Sequence, residues 1–435
     1  MTFGRSSRAP HGEFTSPPLR TIRVSVWGID GLLQNVTGHL ILDDDTRTSI
    51  PSSSASGRLL FVTTATGGAV LMIAAAGYEP YSARTTLEDN LDVDLEPLRP
   101  FSQPLHAEGQ FFATPDGLHT IIGCSDFTLF YRYAMGQSID DVLDERIDLG
   151  FNDLRVWFGV VFLPQLTVFD PRPHLGRLRD FCDKIGTRGL GLELTTHTAA
   201  MKWIPDAQQQ RDLLRDVDRL LPAWVRIEGM NEGLHKSNTA EGIYDEQLSR
   251  TWALGSRIQD AGTMEPVKTY GTYHPSRSVD WPRKVGHNAM EDVGEKYGIP
   301  AVSNECKRPD EDGYHEQNFF DAAANAALLC AGATFHSESG KASTLFTPEE
   351  YRCADAWVRG AKAVPLLYQR GRYTRGGLSA CPIVHKNEWS IRTHVRILGN
   401  RACCSVPQQT KDWRLQPVNG WRVVVQNESV IELER

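Results

Sequence analysis

The chain shows three kinds of hydrophobic pattern in succession. Near the N-terminus, short runs alternate apolar and polar residues and are separated by Gly, Asp and Ser, which is typical of half-buried strands joined by turns. In the middle, short apolar runs alternate with amphipathic stretches of helical period, and near the C-terminus strand-type runs return. We therefore predict a disordered tail over residues 1 to 20, a β-sandwich over 21 to 99, an α/β domain over 100 to 366 and a short β region over 367 to 435 that packs on it.

The central region predicts an α/β fold of the (β/α)8 TIM-barrel type. After a hairpin built on a Thr-Pro-Asp-Gly turn, eight strand candidates alternate with helical patterns over about 250 residues, as in such barrels. An open doubly wound sheet is disfavoured, because no Gly-rich phosphate turn follows a strand. The predicted strands are residues 120 to 122, 153 to 158, 189 to 195, 224 to 228, 268 to 272, 285 to 287, 301 to 303 and 333 to 335. The predicted helices are residues 138 to 149, 174 to 187, 206 to 221, 240 to 261, 289 to 297, 315 to 331 and 348 to 363. The fifth unit is the weakest, since about ten residues join two strands there.

In such a barrel, the carboxyl ends of all the strands face one shared pocket. Polar and ionisable residues stand at most of the predicted strand ends. In chain order they are Arg155 on strand two, His197 after strand three, Asn231 and Glu232 after strand four, Tyr273 and His274 after strand five, His287 at strand six, Glu305 after strand seven, and His336 and Glu338 after strand eight.

Two of these residues are carboxylates that would lie across the barrel mouth from each other. Glu232 and Glu305 each follow an Asn at the end of an apolar run. Glycoside cleavage needs such a pair, one acid to protonate the leaving oxygen and one carboxylate to attack the anomeric carbon or activate water. An acid in the first role must begin protonated, so we expect a raised pKa for Glu232. Arg155 would lower the pKa of a neighbouring carboxylate and suits a nucleophile. Glu228 is expected to be a buried salt-bridge partner.

The stretch Gly150-Phe151-Asn152-Asp153-Leu154-Arg155 and the pairs Asn231-Glu232 and Asn304-Glu305 occur in an order that resembles the clan A retaining glycoside hydrolases, such as family 5 cellulases and mannanases. The resemblance spans about residues 108 to 340. It implies that Glu232 is the acid/base, Glu305 the nucleophile and Arg155 its ionic partner, with Asn231, His197 and His274 lining the sugar subsite. Tyr273 would correspond to the tyrosine that binds the nucleophile.

The chain departs from the clan A pattern after strand eight, where Phe335-His336-Ser337-Glu338 lacks the usual tryptophan platform for the sugar. Trp203 or Trp281 could replace it, and Glu338 could be a further subsite acid. Substrate preference therefore does not carry over from the resemblance.

A second resemblance concerns the N-terminal region. The stretch Ala74-Ala75-Ala76-Gly77-Tyr78-Glu79-Pro80-Tyr81 and the closing run at residues 91 to 98 resemble the carboxypeptidase regulatory-like sandwiches attached to many secreted enzymes. This resemblance implies an accessory role in spacing or docking, without catalytic residues.

Composition and charge limit the kinds of partner that we expect this protein to bind. The formal charge of −8 gives no electrostatic reason to expect nucleic acid, and no segment predicts membrane insertion. The first twenty residues are not signal-like, so the protein is either intracellular or has lost an export signal; the accessory sandwich favours a secreted or surface location.

The eight cysteines lack CxxC spacing, and Cys182, Cys330 and Cys353 are expected to be buried thiols. Cys381 and the pair Cys403-Cys404 are candidates for a disulfide in an oxidising compartment.

The leading hypothesis is thus a retaining β-glycosidase that acts on a poly- or oligosaccharide and needs no cofactor or metal. One alternative is a non-catalytic barrel that binds carbohydrate in a surface or phage-like assembly, supported by the missing tryptophan. A metal-dependent hydrolase using His197, His274 and His287 is disfavoured, because strand one lacks a His-x-His. The sequence does not indicate an oligomeric state.

Overall fold

The computed structural model of the 435-residue chain divides into two compact units, residues 1 to 98 and 99 to 435. The structure describes residues 20–28, 31–33, 36–42, 49–63, 68–75, 81–86, 90–94, 100–160, 168–239, 242–375, 383–384, 394–405, 416–417, 420–427 and 429–435. The predicted tail over residues 1 to 19, and part of both stretches that resemble the accessory sandwiches, lie outside the described residues.

The first unit consists of two sheets that share one apolar core. Its strands are β1 (Arg20–Gly28), β2 (Gly31–Leu32), β3 (Val36–Leu42), β4 (Ser49–Ser54), β5 (Arg58–Thr63), β6 (Gly68–Ala75), β7 (Tyr81–Thr86) and β8 (Asn90–Asp94). One sheet has the order β2-β1-β5, with β8 parallel to β1, and the other has the order β4-β3-β6-β7. Strand β5 alternates exposed and buried residues, as the sequence pattern predicts, and its Phe61 packs in a core with Val24 and Leu71. The likeness to a particular accessory family stays a prediction.

The second unit is built around an eight-stranded parallel barrel. Its strands are β12 (Ile121–Ser125), β13 (Asp153–Trp157), β14 (Gly191–His197), β15 (Arg226–Met230), β16 (Trp252–Ala253), β17 (Gly271–Tyr273), β18 (Ala301–Ser303) and β19 (Gly332–Phe335). The pairing order β16-β15-β14-β13-β12-β19-β18-β17 makes β16 and β17 the two ends of the sheet. Thr269 closes the gap, since its backbone N–H donates to Trp252 O at 3.0 Å and its Oγ1 accepts from Trp252 N at 2.6 Å. The predicted TIM-barrel class is confirmed.

Helices cover the outside of the barrel. They are α1 (Leu129–Ala134), α2 (Asp140–Leu149), α3 (Leu178–Gly186), α4 (Ala207–Leu220), α5 (Trp281–Ala289), α6 (Pro309–Asp312), α7 (Glu316–Leu329), α8 (Glu338–Ala342) and α9 (Pro348–Lys362). Shorter 3-10 turns lie at Arg172–Arg177, Ala200–Lys202 and Leu366–Arg370, and a π-helical segment lies at Met290–Glu295. Thr347 begins α9 with a capping box in which its side chain accepts from Glu350 N, as its Thr-Pro-Glu-Glu sequence favours.

Two predicted elements of the barrel are wrong, and together they explain the short fifth unit. The predicted helix at 240 to 261 contains the fifth strand, β16, so the strand predicted at 268 to 272 corresponds to the sixth, β17. The predicted strand at 285 to 287 lies inside α5, although the backbone of Val285 and Gly286 departs from helical angles there. The fifth strand was missed because the two residues of β16 are too few to show a strand pattern in the sequence. Gly255 ends this short strand at a φ of 137°, where a Cβ would lie 1.9 Å from Met230 O, so the close approach to β15 requires glycine.

A small sheet fills the N-terminal end of the barrel. Strands β9 (His106–Glu108), β10 (Phe111–Thr114) and β11 (Gly117–His119) include the predicted hairpin. Phe112 packs edge-on against Tyr270, with ring centroids 5.5 Å apart, in a cluster that includes Ile121 and Val302. Since this end is plugged with apolar side chains, the carboxyl ends of the strands are the open side of the barrel.

The C-terminal region forms an antiparallel sheet on the barrel. It contains β20 (Arg372–Arg375), β22 (His394–Leu398), β23 (Arg401–Ser405), β25 (Arg422–Asn427) and β26 (Val430–Glu434), while β21 (Ile383–Val384) pairs with β24 (Gln416–Pro417). Buried Arg396 donates to Leu328 O and Leu329 O, the carbonyls that end α7.

The cysteines that the structure describes are all buried, and Cys182, Cys330 and Cys353 are free thiols as predicted. The predicted disulfide candidate Cys381 lies outside the described residues. Within the described ranges, no helix is both long and apolar enough to cross a bilayer.

Candidate active site

Arg155 lies at the centre of the candidate site. It occupies the middle of β13, and its side chain is fully buried inside the barrel. Its guanidinium donates to Glu228 Oε2 from Nε at 3.1 Å and from Nη2 at 2.6 Å, so the prediction of Glu228 as a buried salt-bridge partner is confirmed. Nη2 also donates to Asn231 Oδ1 at 2.7 Å, and Nη1 donates to Glu305 Oε2 at 3.3 Å. Arg155 therefore links the ends of β15 and β18.

Two buried acids, Glu228 and Glu193, lie next to Arg155 inside the barrel. Asn304 Nδ2 donates to Glu228 Oε1 at 2.9 Å and to Glu193 Oε1 at 3.2 Å, and the Tyr270 hydroxyl donates to Glu193 Oε2 at 2.8 Å. Burial and the charge of Glu228 raise the pKa of Glu193. Burial also acts on Glu228, but the adjacent Arg155 outweighs it and lowers the pKa of Glu228. Glu228 is therefore the more acidic of the pair and the ionised partner of Arg155.

Glu232 is the second residue after β15, at the open end of the barrel. Its φ of 49° lies in the left-handed region, which is costly for a residue other than glycine and frequent at functional sites. Asn238 holds the turn by donating to Asn231 O at 2.6 Å and to Glu232 O at 3.3 Å. About three quarters of the Glu232 side chain is buried, with 25% exposed. The strained turn thus presents its carboxylate to the mouth of the barrel.

His274 stands between the two candidate catalytic carboxylates. It directly follows β17, is buried, and places Nδ1 3.4 Å from Glu232 Oε1 and Nε2 3.6 Å from Glu305 Oε2. A neutral imidazole can donate through one nitrogen only, whereas a protonated ring can donate to both acids. The ring therefore hydrogen-bonds Glu232 and lies beside Glu305 without a hydrogen bond to it.

The electrostatics of Glu305 suit an ionised carboxylate. Burial raises its pKa, but the nearby His274, His336 and Arg155 together outweigh burial and lower the pKa to about 2. The pKa of Glu232 is also lowered, chiefly by its hydrogen bond with His274. The expected raised pKa for Glu232 is thus wrong for the free protein, because the histidine partner stabilises the charged form more than burial destabilises it.

Arg277 is a site residue that the sequence reasoning missed. It lies in the loop after β17, and its Nη2 donates to Glu305 Oε1 at 3.3 Å. Its Nη1 donates to Glu311 Oε1 at 3.1 Å, and Glu311 belongs to α6 in the loop after β18. The only sequence signal is its position three residues after Tyr273-His274, since a loop residue carries no strand pattern.

His197 is the last residue of β14 and packs against Trp203 from the loop that follows. His197 Nδ1 lies 2.9 Å from Gly229 O, which makes Nδ1 the protonated nitrogen and leaves buried Nε2 as an acceptor without a hydrogen-bond partner. Burial lowers the pKa of His197 to about 4, so the ring is neutral near pH 7. Trp203 stacks on His197 with centroids 6.2 Å apart and donates from Nε1 to Thr198 O, with only 8% of it exposed. Trp203 therefore supports His197 more than it offers an open platform.

His336 also belongs to the buried wall of the site. It follows β19, has a pKa well below its ordinary value because of burial, and packs its ring 5.2 Å from that of Phe127. Its Nδ1 has no hydrogen-bond partner.

Four predicted site residues lie elsewhere or face other partners. The Tyr273 hydroxyl donates to Asp260 and accepts from Asn288 Nδ2, so its expected bond to Glu305 is absent. Trp281 is fully buried in α5, where Nε1 donates to Asp312 Oδ1 at 2.9 Å. His287 lies on the outer helix α5, with its ring 4.9 Å from that of His394 in the C-terminal sheet. Glu338 begins α8 on the rim, half exposed, and binds Arg308 and Lys341. The prediction of Trp281 as a sugar platform is wrong because helix packing buries the indole.

The described residues contain no group of three or more His, Cys, Asp or Glu side chains that could hold a metal ion. Three histidines were predicted together as the rival metal site. Of these, His287 lies on the outer helix, His197 binds a backbone carbonyl, and His274 contacts carboxylates.

No protein-family model and no curated protein matches the sequence significantly. Similar solved structures include a glycoside hydrolase family 5 protein from Bacteroides vulgatus ATCC 8482, with 9% identity, a TM-score of 0.48 and coverage of 77% of this chain and 93% of that chain. A family 39 glycoside hydrolase from Bacteroides cellulosilyticus WH2 has 8% identity, a TM-score of 0.40 and coverage of 96% and 100%. GH5_18 from Streptomyces cattleya in complex with GlcNAc has 14% identity, a TM-score of 0.38 and coverage of 56% and 79%. These structural neighbours are glycoside hydrolases; at such identities the likeness concerns the fold, and the chemistry depends on the residues of the site.

Proposed function

We propose that the protein is a retaining β-glycosidase of the clan A type that cleaves a poly- or oligosaccharide by double displacement. His274 lies between Glu232 and Glu305 at the open end of the barrel, and Arg155 donates a hydrogen bond to Glu305. This arrangement is the observation that carries the proposal. Two acids, one of them strongly ionised, are what glycoside cleavage requires.

In the first step, Glu305 attacks the anomeric carbon while Glu232 protonates the leaving oxygen. The low pKa of Glu305, about 2, keeps the nucleophile charged in the free enzyme. Glu232 must accept a proton before this step, and the donor from His274 opposes that protonation. Hydrogen bonds of the substrate to His274 would relieve this opposition, since they compete for the same ring nitrogen.

In the second step, water attacks the anomeric carbon and gives its proton to Glu232. The bond between the sugar and Glu305 breaks, and its electron pair returns to the carboxylate. Neither step calls for an organic cofactor or metal.

The substrate wall would consist of Asn231, His197 and His274, with Trp203 behind His197. The acceptor nitrogen of His197 suits a sugar hydroxyl, which donates readily. A non-catalytic sugar-binding barrel is not favoured, because holding neutral hydroxyls does not require two partly buried carboxylates beside arginine. The first unit would then be an accessory domain without a part in the chemistry.

The test is release of reducing sugar or aryl alcohol from a panel of glucans, mannans, galactans and aryl β-glycosides. Glu305→Gln and Glu232→Gln should each lose about a thousandfold or more of the activity while remaining folded, because one lacks the nucleophile and the other the acid. Glu316→Gln, on the surface of α7 and paired with Arg352, is the matched control and should keep its activity. Full activity in the Glu305→Gln protein would disprove the assignment.

A further inference from the structure

Glu305 is held on both carboxylate oxygens by arginine. Oε2 accepts from Arg155, and Oε1 accepts from Arg277 Nη2 at 3.3 Å. Building on the proposed function, we propose that Arg277 is a positioning residue that sets the balance between formation and hydrolysis of the glycosyl ester on Glu305.

The two arginines differ in their freedom to move. Arg155 is fully buried and is committed to Glu228 and Asn231 as well as Glu305. Arg277 lies in a loop at the mouth with 24% of its side chain exposed. Only Arg277 can therefore change partner without disturbing the interior of the barrel.

A second partner for Arg277 is already in place. Nη1 donates to Glu311 Oε1 at 3.1 Å while Nη2 donates to Glu305. Glu311 is itself fixed by Arg308, whose Nη2 lies 3.0 Å from Oε1 and whose backbone N–H donates to Oε2 at 3.1 Å. Arg277 can thus stay paired with Glu311 when Glu305 loses its charge.

The charge of Glu305 changes in opposite directions during the two steps. In glycosylation an oxygen lone pair of Glu305 forms the bond to the anomeric carbon. The bond from that carbon to the leaving oxygen breaks with its electron pair moving to the oxygen, which takes the proton of Glu232. The carboxylate charge of Glu305 therefore disappears, and pairing with Arg277 is lost. In hydrolysis a water oxygen forms the new bond, the ester bond breaks with its electron pair moving to Glu305, and the water proton goes to Glu232. A cation beside Glu305 therefore retards the first step and assists the second.

The test follows the covalent adduct by intact mass. The probes are dinitrophenyl β-glycosides of deoxyfluoro sugars with gluco, manno and galacto configuration, each of which leaves a slowly hydrolysed adduct on a retaining enzyme. Excess probe is removed, and loss of the added mass is timed for wild type, Arg277→Gln, Arg277→Lys, Glu311→Gln and the surface control Glu316→Gln.

Arg277→Gln should lose the adduct about tenfold more slowly than wild type and acquire it at least as fast, since a tenfold change corresponds to one modest charge interaction. Glu311→Gln should lose it about threefold faster, because the adduct then lacks the acid that holds Arg277. Arg277→Lys, which keeps the charge, and Glu316→Gln, which does not touch Glu305, should stay within about twofold of wild type. The acid limb of the plot of labelling rate against pH should also move to higher pH in Arg277→Gln. A purely structural role of Arg277 would not produce this shift.

The outcomes separate the two proposals. Labelled wild type with equal adduct lifetimes in Arg277→Gln and Glu311→Gln overturns the role of Arg277 and leaves the glycosidase intact. Absence of any adduct on wild type overturns the retaining mechanism and the role of Arg277 with it. If Arg277→Gln fails to fold by circular dichroism, the opposite-direction prediction for Glu311→Gln decides.

Discussion

Arg155 is bound more tightly to Glu228 than to Glu305: its Nη2 lies 2.6 Å from Glu228 Oε2, whereas its Nη1 lies 3.3 Å from Glu305 Oε2. Glu228 therefore fixes the orientation of the Arg155 guanidinium and is its anchor. The remaining donor, Nη1, binds the candidate nucleophile Glu305. The site depends on this anchor as much as on the two residues at the mouth.

Glu228→Gln should therefore weaken both the fold and the chemistry. We expect a loss of about 2 to 3 kcal/mol in the free energy of unfolding, because a buried arginine loses its shortest ion pair. We also expect kcat/KM to fall at least about tenfold, because Arg155 is no longer aimed at Glu305. Urea unfolding and steady-state kinetics measure the two effects.

Glu193→Gln provides the control for Glu228. Glu193 holds Arg155 more loosely, with Arg155 Nε 3.4 Å from its Oε1, and burial raises its pKa, so Glu193→Gln should cost less than Glu228→Gln, under about 1 kcal/mol. Equal losses for the two variants would contradict the assignment of Glu228 as the ionised anchor.

His274 should set the pH range of activity. Since it lowers the pKa of Glu232, and contributes to lowering that of Glu305, kcat/KM of wild type should be highest in acid and should fall as Glu232 ionises, at a pH below the ordinary pKa of a glutamate. His274→Asn removes the imidazole that hydrogen-bonds Glu232 and lies beside Glu305, so both pKa values rise and both limbs of the profile should move to higher pH. His106→Asn, on exposed strand β9, should leave the profile unchanged. A profile that stays in place without His274 would rule out its role in lowering these pKa values.

Trp281 is expected to act on stability alone. Trp281→Phe removes the indole donor to Asp312 and should cost about 1 to 2 kcal/mol in unfolding free energy, with KM unchanged within about twofold. Trp203→Phe, in contrast, removes the ring that stacks on His197 and should raise KM. A higher KM in Trp281→Phe would return that residue to the sugar subsite.

His119 should make stability fall in mild acid. Burial, helped by Arg226, lowers its pKa to about 4, so between about pH 6.5 and 4 the unfolded chain binds a proton that the folded protein does not. Its contribution is lost as the pH falls, by about 2 to 3 kcal/mol near pH 4.5. His119→Gln should remove that part of the pH dependence in urea unfolding at about pH 7 and 4.5. An unchanged pH dependence would show that His119 is protonated in the folded state.

The parts of the site that the sequence predicted are those at regular strand ends. Glu232, Glu305, Arg155, His197 and His274 were found because parallel strands place their carboxyl ends at one face. Numbering the strands was harder: β16 has only two residues and was hidden in a polar stretch, while residues 285 to 287 look like a strand but belong to a helix.

The parts that were missed depend on contacts distant in the chain. Arg277 and Glu311 meet from loops after different strands, and no spacing rule brings them together. The low pKa of Glu232 was missed for the same reason, since it depends on the distance to His274, which only the folded barrel fixes. Trp281 was misplaced because a tryptophan after a strand suits a sugar platform and a helix core equally well.

The central claim is that Glu305 forms a covalent bond with the sugar. The most direct measurement is digestion of the enzyme labelled with a deoxyfluoro dinitrophenyl β-glycoside, followed by mass spectrometry of the peptides. We predict one added sugar on the peptide that contains Glu305 and no added sugar in the Glu305→Gln protein. A label on Glu232 or another residue, or turnover of natural substrate with inversion at the anomeric carbon, would contradict it.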